Sequence, residues 1–268
     1  MPFMQENHLL NALPAEIQRR LIADMKLVTL EQGTVVCEAG DAMSHVYFPT
    51  NSIVSLQSVT EDGASTEISV VGCEGMVGVA LFMGGESAQI RAVVESSGSA
   101  YRLSAQVFKD EFNQHSEMMM LMLRYTQTLL TQMAQNALCN RHHSVQQQVC
   151  RWLLRSLDRL PGNHLAMTQE FIANLLGVRR EGVTDAAGKL QKRGVIEYNR
   201  GHITVLDRSM LEQLSCECYA AVKKETDRLL PQIDFSSSPA LGRMGAVAHT
   251  RAIASGRLLA VSPKRACA

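Results

Sequence analysis

The helical periodicity that takes over after Phe108 has no counterpart between Lys26 and Leu103. In that earlier stretch short β-type runs alternate with turn residues: TVVC, HVYF, SIVSLQSV, TEISVV, IRAVVE and SAYRLS. The punctuation falls at Gly33, Gly40, Asp62-Gly63, Gly72, Gly75, Gly78, Gly84-Gly85 and Gly98. Many short strands at this spacing predict a β-roll of the double-stranded β-helix kind. A short helix over 14–24, opened by Pro14, precedes it. The chain of 268 residues is long enough for two domains with sizeable cores. It is therefore read as α+β: a β-roll over 1–112, a long helix over 113–141 and a second domain over 142–230. The tail over 231–268 is rich in Ser, Gly, Ala and Arg and is expected to be disordered.

In the long helix Met118, Met122, Tyr125, Leu129 and Met133 recur at steps of 4, 3, 4 and 4, and Leu130, Ala134 and Ala137 form an adjoining stripe. Two stripes let one helix meet two surfaces: its own β-roll and a second copy of the chain. A core helix of a monomer is the plainer alternative. The dimer reading assigns Met122, Tyr125, Leu129 and Met133 to the interface. A further helix is expected from Ser144 to Leu160, ended by Pro161-Gly162.

Net charge is zero overall but unevenly placed. Residues 1–138 carry 7 Lys/Arg against 15 Asp/Glu, whereas residues 139–208 carry 11 against 6. An acidic half joined to a basic one suggests different partners, and the basic segment suits a polyanion. The longest apolar run, Met118 to Leu123, is far too short to span a bilayer, and the first residues lack the pattern of a signal peptide. The seven cysteines are scattered and odd in number, as expected of reduced thiols in a cytoplasm.

The basic segment contains TQEFIANLLGVRREGVTDAAGKL. Thr168 can cap a helix whose buried face is Ile172, Leu175 and Leu176, and Ala173 is small enough for a close crossing. Gly177 breaks that helix, Val178 is the apolar plug, and a second helix with Val183, Ala187 and Leu190 inward begins near Arg179. Two short helices around a glycine turn make a helix-turn-helix. The outward face then carries Arg179, Arg180, Glu181, Thr184 and Asp185, which suit base edges in a major groove: Arg as a fork on guanine, Glu as an acceptor from cytosine. A solvated face with i, i+4 pairs is the plainer reading, although Glu181 and Asp185 would be a like-charged pair that gains nothing. GVIEYNRGHITVLD reads as a hairpin around Asn199-Arg200-Gly201. Such a wing would bring Arg200 at its tip, Lys192 and Arg193 at its base, and Thr168 at the helix start, to phosphates. A last helix is expected near Ser209, with Ser209 and Glu212 as a capping box.

A β-roll, a long connecting helix and a winged helix-turn-helix resemble the Crp/Fnr family of bacterial transcription regulators over roughly residues 10–210. LEQGTVVCEAGD (Leu30–Asp41) resembles the strand-turn pattern of the family's β-roll, and TQEFIANLLGVRREGV its DNA-binding helices, with Arg180-Glu181 on the family's Arg-Glu pair. A later base-reading arginine of the family falls on Asp185. In the cyclic-nucleotide cassette, GVALFMGGESAQIRA (Gly78–Ala92) follows the frame: Gly78 and Ser87 are kept, the ribose-binding glutamate becomes Val79, and the phosphate-binding arginine becomes Glu86. The resemblance therefore implies a degenerate effector pocket, an unknown effector, and a homodimer that binds double-stranded DNA and works with RNA polymerase.

No cofactor, metal or catalytic machinery is expected. Cys216 and Cys218, if both on a helix, would point about 200° apart and could not share an ion. Cys139 with His142 and His143 could form a redox or metal cluster near the hinge, but reads rather as a polar joint between domains. Only His45 lies in the strand region between Lys26 and Leu103, too few histidines for a cupin-type enzyme. The reading is a DNA-binding regulator; a ligand-binding module acting on a protein partner is the rival.

Overall fold

A computed structural model describes residues 6–85, 87 and 89–230; the tail and Glu86 lie outside the described residues. The order is α1 (His8–Asn11), α2 (Ala15–Asp24), β1 (Lys26–Leu30), β2 (Val35–Cys37), β3 (His45–Pro49), β4 (Ile53–Val59), β5 (Ser65–Val71), a 3-10 turn (Val79–Leu81), β6 (Arg91–Ser96), β7 (Gly98–Ser104), α3 (Ala105–Gln114) and α4 (Ser116–His142). After these come α5 (Val145–Leu157), β8 (His164–Ala166), α6 (Gln169–Leu176), α7 (Arg180–Lys192), β9 (Ile196–Asn199), β10 (His202–Val205), α8 (Arg208–Leu214) and α9 (Glu217–Leu229).

Seven short strands form the two antiparallel sheets of the β-roll, one ordered β1-β7-β3 and the other β2-β6-β4-β5. Val46 and Phe48 of β3, Val54 and Leu56 of β4, and Val71 and Val94 from the neighbouring strands turn inward. The start of the chain is pinned to this body. Buried Asn7 accepts from Leu10 N at 3.0 Å as the cap of α1 and donates to Pro49 O at 2.8 Å and Gly75 O at 2.9 Å.

Helix α4 closes the roll. Met118, Leu121, Met122, Tyr125 and Leu129 are all part of the β-roll core. At about 100° per residue they occupy one face of the helix. Met120, Leu123, Leu130 and Leu138 fall on the opposite face and are exposed. The expectation for the interface is corrected here: Met122, Tyr125 and Leu129 are spent inside this chain, Met133 is only half-buried, and the adjoining stripe with Leu130 is the free one. Glycine at 75 is what lets α4 come so close. A Cβ there would overlap the Tyr125 ring, whose hydroxyl donates to Met76 O at 2.8 Å.

A second core gathers α5, α6, α7, α8 and the three-stranded sheet β8-β10-β9. Ser144 and Gln147 form a capping box at the start of α5. Strand β8 has no periodic signal of its own and joins the wing by pairing His164–Ala166 with β10. The expected Ser209 capping box is replaced by Asp207, whose carboxylate accepts from Met210 N at 2.9 Å, while Glu212 pairs with Arg208 at 3.0 Å.

Gly75→Ala is expected to cost about 1–3 kcal/mol in urea unfolding, the usual penalty of overpacking a filled site. The cost should shrink when Tyr125 is first shortened to Leu. An unchanged midpoint in both backgrounds would mean that α4 does not press on Gly75.

Candidate DNA-binding site and its docking to the β-roll

Helix α6 is held at its start by Thr168, whose hydroxyl accepts from Phe171 N at 3.1 Å, and ends at Gly177 with φ +65°. That left-handed residue suits glycine. The turn also meets the β-roll, since a Cβ on Gly177 would stand 2.9 Å from Thr66 Oγ1. Val178 N donates to Ala173 O at 3.0 Å, which brings α7 across α6. Ile172, Ala173, Leu175, Leu176, Val183, Ala186, Ala187 and Leu190 are buried as the sequence requires.

With that face committed to the core, Arg179, Arg180, Glu181, Thr184 and Asp185 are all exposed along the start and outer side of α7. The structure brings these five together. Thr184 Oγ1 lies 2.7 Å from Gln169 Oε1 and 3.1 Å from Arg180 O. Asp185 is not idle: its carboxylate pairs with Lys189 Nζ at 2.7 Å, an i, i+4 contact the sequence reading did not consider. Thr168, Lys192, Arg193 and Arg200 are exposed around this face. Arg200 is also the sole non-glycine with positive φ among the described residues, at +47°, followed by Gly201 at +84°. Two successive positive values make a type I′ turn, which fits the twist of a two-residue hairpin but suits Asn or Gly better than Arg.

In the β-roll, Gly78 takes φ +126° and a Cβ on it would meet Val46 at 2.9 Å. Val79 opens the 3-10 turn and packs half-buried against the core, and Ser87 is exposed and bridges Ala42. Arg91, in the same segment of the roll, is ion-paired to Glu38 at 3.1 Å.

The sequence reading missed how the helix-turn-helix docks on the roll. Arg155 of α5 pairs with Glu67 of β5 at 2.5 Å, and Trp152 Nε1 donates to Glu95 Oε1 of β6 at 3.1 Å. All four side chains are buried. Beside them Arg159 pairs with Glu74 at 2.6 Å, its stem lying where a Cβ on Gly72 would sit. Two carboxylates share this buried space, with Arg155 against Glu67 and the charges of Arg155 and Arg159 both felt by Glu95. Burial, and then the charge of Glu67, push the Glu95 carboxyl up to about 8. The arrangement is read as Glu67 held by Arg155, with Glu95 keeping its proton beside it.

The premise that kept Cys216 from Cys218 also fails. Cys216 precedes α9 in extended backbone, φ −95° and ψ 166°, so the helical rotation does not separate the two thiols. Cys139, His143, Cys216 and Cys218 present four ligand atoms all within 4.8 Å of one another. Among the described residues no helix is long and apolar enough to cross a membrane.

A family model for the Crp-like helix-turn-helix domain matches residues 147–214, and one for the cyclic nucleotide-binding domain matches residues 27–115. No curated protein matches by sequence. Among solved structures, FixK2 from Bradyrhizobium japonicum is 16% identical with a TM-score of 0.63, covering 72% of this chain and 98% of its own. The c-di-GMP responsive global regulator CLP from Xanthomonas campestris is 17% identical with a TM-score of 0.58, covering 72% and 100%. A CRP/FNR-family transcriptional regulator from Thermus thermophilus is 21% identical with a TM-score of 0.56, covering 71% and 98%. These likenesses are to the fold.

A carboxyl raised above its unfolded value of 4.5 keeps its proton longer in the folded chain. The stability it carries is therefore full below the unfolded value and is lost as pH rises towards about 8. Urea midpoints of the wild type are expected to fall between about pH 5 and pH 8, and Glu95→Gln, neutral throughout, to flatten that fall. An equal slope in both proteins would remove the proton from Glu95.

Proposed function

We propose, since this chain belongs to the Crp/Fnr family of DNA-binding transcription regulators, that it binds a two-fold DNA site as a homodimer, with one α7 in each major groove. The observation that carries this reading is the division of α7. Val183, Ala187 and Leu190 fix one face in the core, while Arg180, Glu181, Thr184 and Asp185 stand exposed on the other. Arg180 and Glu181 read bases; Arg179 and Thr184 complete the reading face. Asp185 contributes by giving up Lys189, which then faces phosphate. Thr168, Lys192, Arg193 and Arg200 neutralise the backbone. Arg200 occupies a backbone region that an arginine enters only at a cost, which favours a role for its side chain over one for its turn.

The second copy packs on Met120, Leu123, Leu130 and Leu138, the exposed stripe of α4. Cyclic AMP or cyclic GMP is not held in the family's usual way: the sequence puts Val79 where a ribose acceptor stands and Glu86 where the phosphate needs an arginine. At ~4 Å and an effective dielectric near 20, one such pair is worth roughly 4 kcal/mol before desolvation. Whatever acts on the roll instead does so through the Glu67–Arg155 and Glu95–Trp152 contacts, shifting the population of docked and released helix-turn-helix units. The protein works in the cytoplasm beside RNA polymerase, as a regulator and not as a catalyst.

Arg180→Ala is expected to cost about 1–3 kcal/mol on a selected site and to relax one base position. Arg200→Asn is expected to weaken all sequences alike and flatten the salt slope without loss of stability, since Asn enters the left-handed region more readily than Arg. Losses for Arg180→Ala that are equal on selected and random duplexes would remove it from the reading set. Leu130→Glu is expected to give folded monomers by sedimentation, whereas Leu129→Glu should unfold the roll. Dimers that survive Leu130→Glu would move the interface elsewhere.

A further inference from the structure

Helix α9 runs back along α4 yet buries very little of its own. Only Cys218 and Leu229 of its thirteen residues are fully buried. Its far end is tied by Leu230, which packs on the β-roll core, and by Gln127 Nε2, which donates to Glu225 at 3.3 Å. At its near end stand three thiols and an imidazole. Cys139 lies in the last turns of α4, His143 caps that helix, Cys216 caps α9, and Cys218 sits in its first turn. The three cysteines form a small cluster apart from both hydrophobic cores.

We propose that Cys139, His143, Cys216 and Cys218 bind one zinc ion that clamps the start of α9 to the end of α4. A tetrahedral ion with Zn–S bonds near 2.3 Å and a Zn–N bond near 2.05 Å has ligand edges of about 3.8 Å between sulfurs and about 3.6 Å from sulfur to nitrogen. The Cys139 and Cys216 sulfurs are 3.6 Å apart, and Cys218 Sγ is 3.5 Å from His143 Nδ1. All four ligand atoms lie within 4.8 Å of each other. Ligands that share one ion lie this close, whereas ligands of an iron–sulfur cluster are spread over several irons. Three sulfurs and one imidazole are a closed structural zinc set, with no position open for a substrate.

The surroundings fit as well. If Nδ1 faces the ion, Nε2–H is left to a second partner, and it lies 3.3 Å from the Glu217 carboxylate. A ligating histidine commonly has that carboxylate partner. Cys216 caps the start of α9, where the helix terminus suits an anionic ligand. Binding releases the remaining thiol protons to solvent as Zn–S bonds form, leaving three thiolates on a divalent ion and a net charge of −1. Buried Arg151 of α5 lies close enough to feel the charges of Cys139 and Cys216 and balances it. The ion thereby supplies the anchor that the thin apolar face of α9 lacks.

The test needs no DNA and so stands apart from the regulator reading. Full-length protein, purified under reducing conditions with zinc present and dialysed without chelator, is analysed for metal, sulfide and thiols. About one zinc per chain is expected. Cobalt(II) in its place should show the visible and thiolate charge-transfer bands of a tetrahedral site. Cys218→Ser should lose most of the zinc and lower the melting temperature, Cys73→Ser should lose none, and His143→Cys should keep a full complement, which answers the objection that any change here unfolds the chain. Three results would overturn the proposal: no stoichiometric metal in the reduced wild type, iron with inorganic sulfide in place of zinc, or equal zinc loss in Cys73→Ser and Cys218→Ser.

Discussion

Helix α4 has more demanded of it than any other element, and its packing on the β-roll decides what the rest of the chain can do. One face is filled by Met118, Met122, Tyr125 and Leu129, and the Tyr125 ring can lie down only because residue 75 lacks a Cβ. Further along the same helix polar groups continue the contact. Gln132 Oε1 accepts from Val70 N at 2.6 Å, and Asn136 Nδ2 donates to Ile68 O at 2.8 Å. A rigid seam of this kind fixes the direction of the helix beyond the roll. It therefore fixes where the exposed stripe points and where α5 begins.

The second domain is joined to that seam by buried charge, not by apolar surface. A buried ion pair adds little net stability once desolvation is counted, but breaking one is costly because the survivor is left uncompensated. Glu67, Glu95, Arg155 and Trp152 thus make a contact that is either whole or absent. Burial of Glu95 beside Glu67 raises its carboxyl and so makes this contact sensitive to pH.

The helix-turn-helix was legible in the sequence because everything that shapes it is local. Thr168, Gly177, Val178 and the steps from Val183 to Leu190 lie within about two dozen residues, and each acts on its neighbours. Six of the seven strands of the roll were legible for the same reason, while β1 (Lys26–Leu30) lay outside the runs named. What the sequence could not separate were the two apolar stripes of α4: Tyr125 and Leu130 differ only in which one has a partner, and the partner of Tyr125 lies some fifty residues away at Gly75. Nothing local marks Glu67 or Glu95, since their partners Arg155 and Trp152 arrive from a later domain. The cysteine cluster was hidden by one misplaced boundary. Ser215 and Cys216 interrupt the helices, and with Cys216 outside α9 the angle between the two thiols is no longer helical.

The central claim, a symmetric reader of DNA, is tested most directly by selecting bound sites from a library of random duplexes with the full-length protein and then measuring affinity for them at several salt concentrations. The account predicts enriched inverted repeats with half-site centres about one helical turn apart, ~34–36 Å, and affinity that falls steeply as salt rises. Enrichment of no sequence, or of a lone half-site bound by one chain, would contradict it.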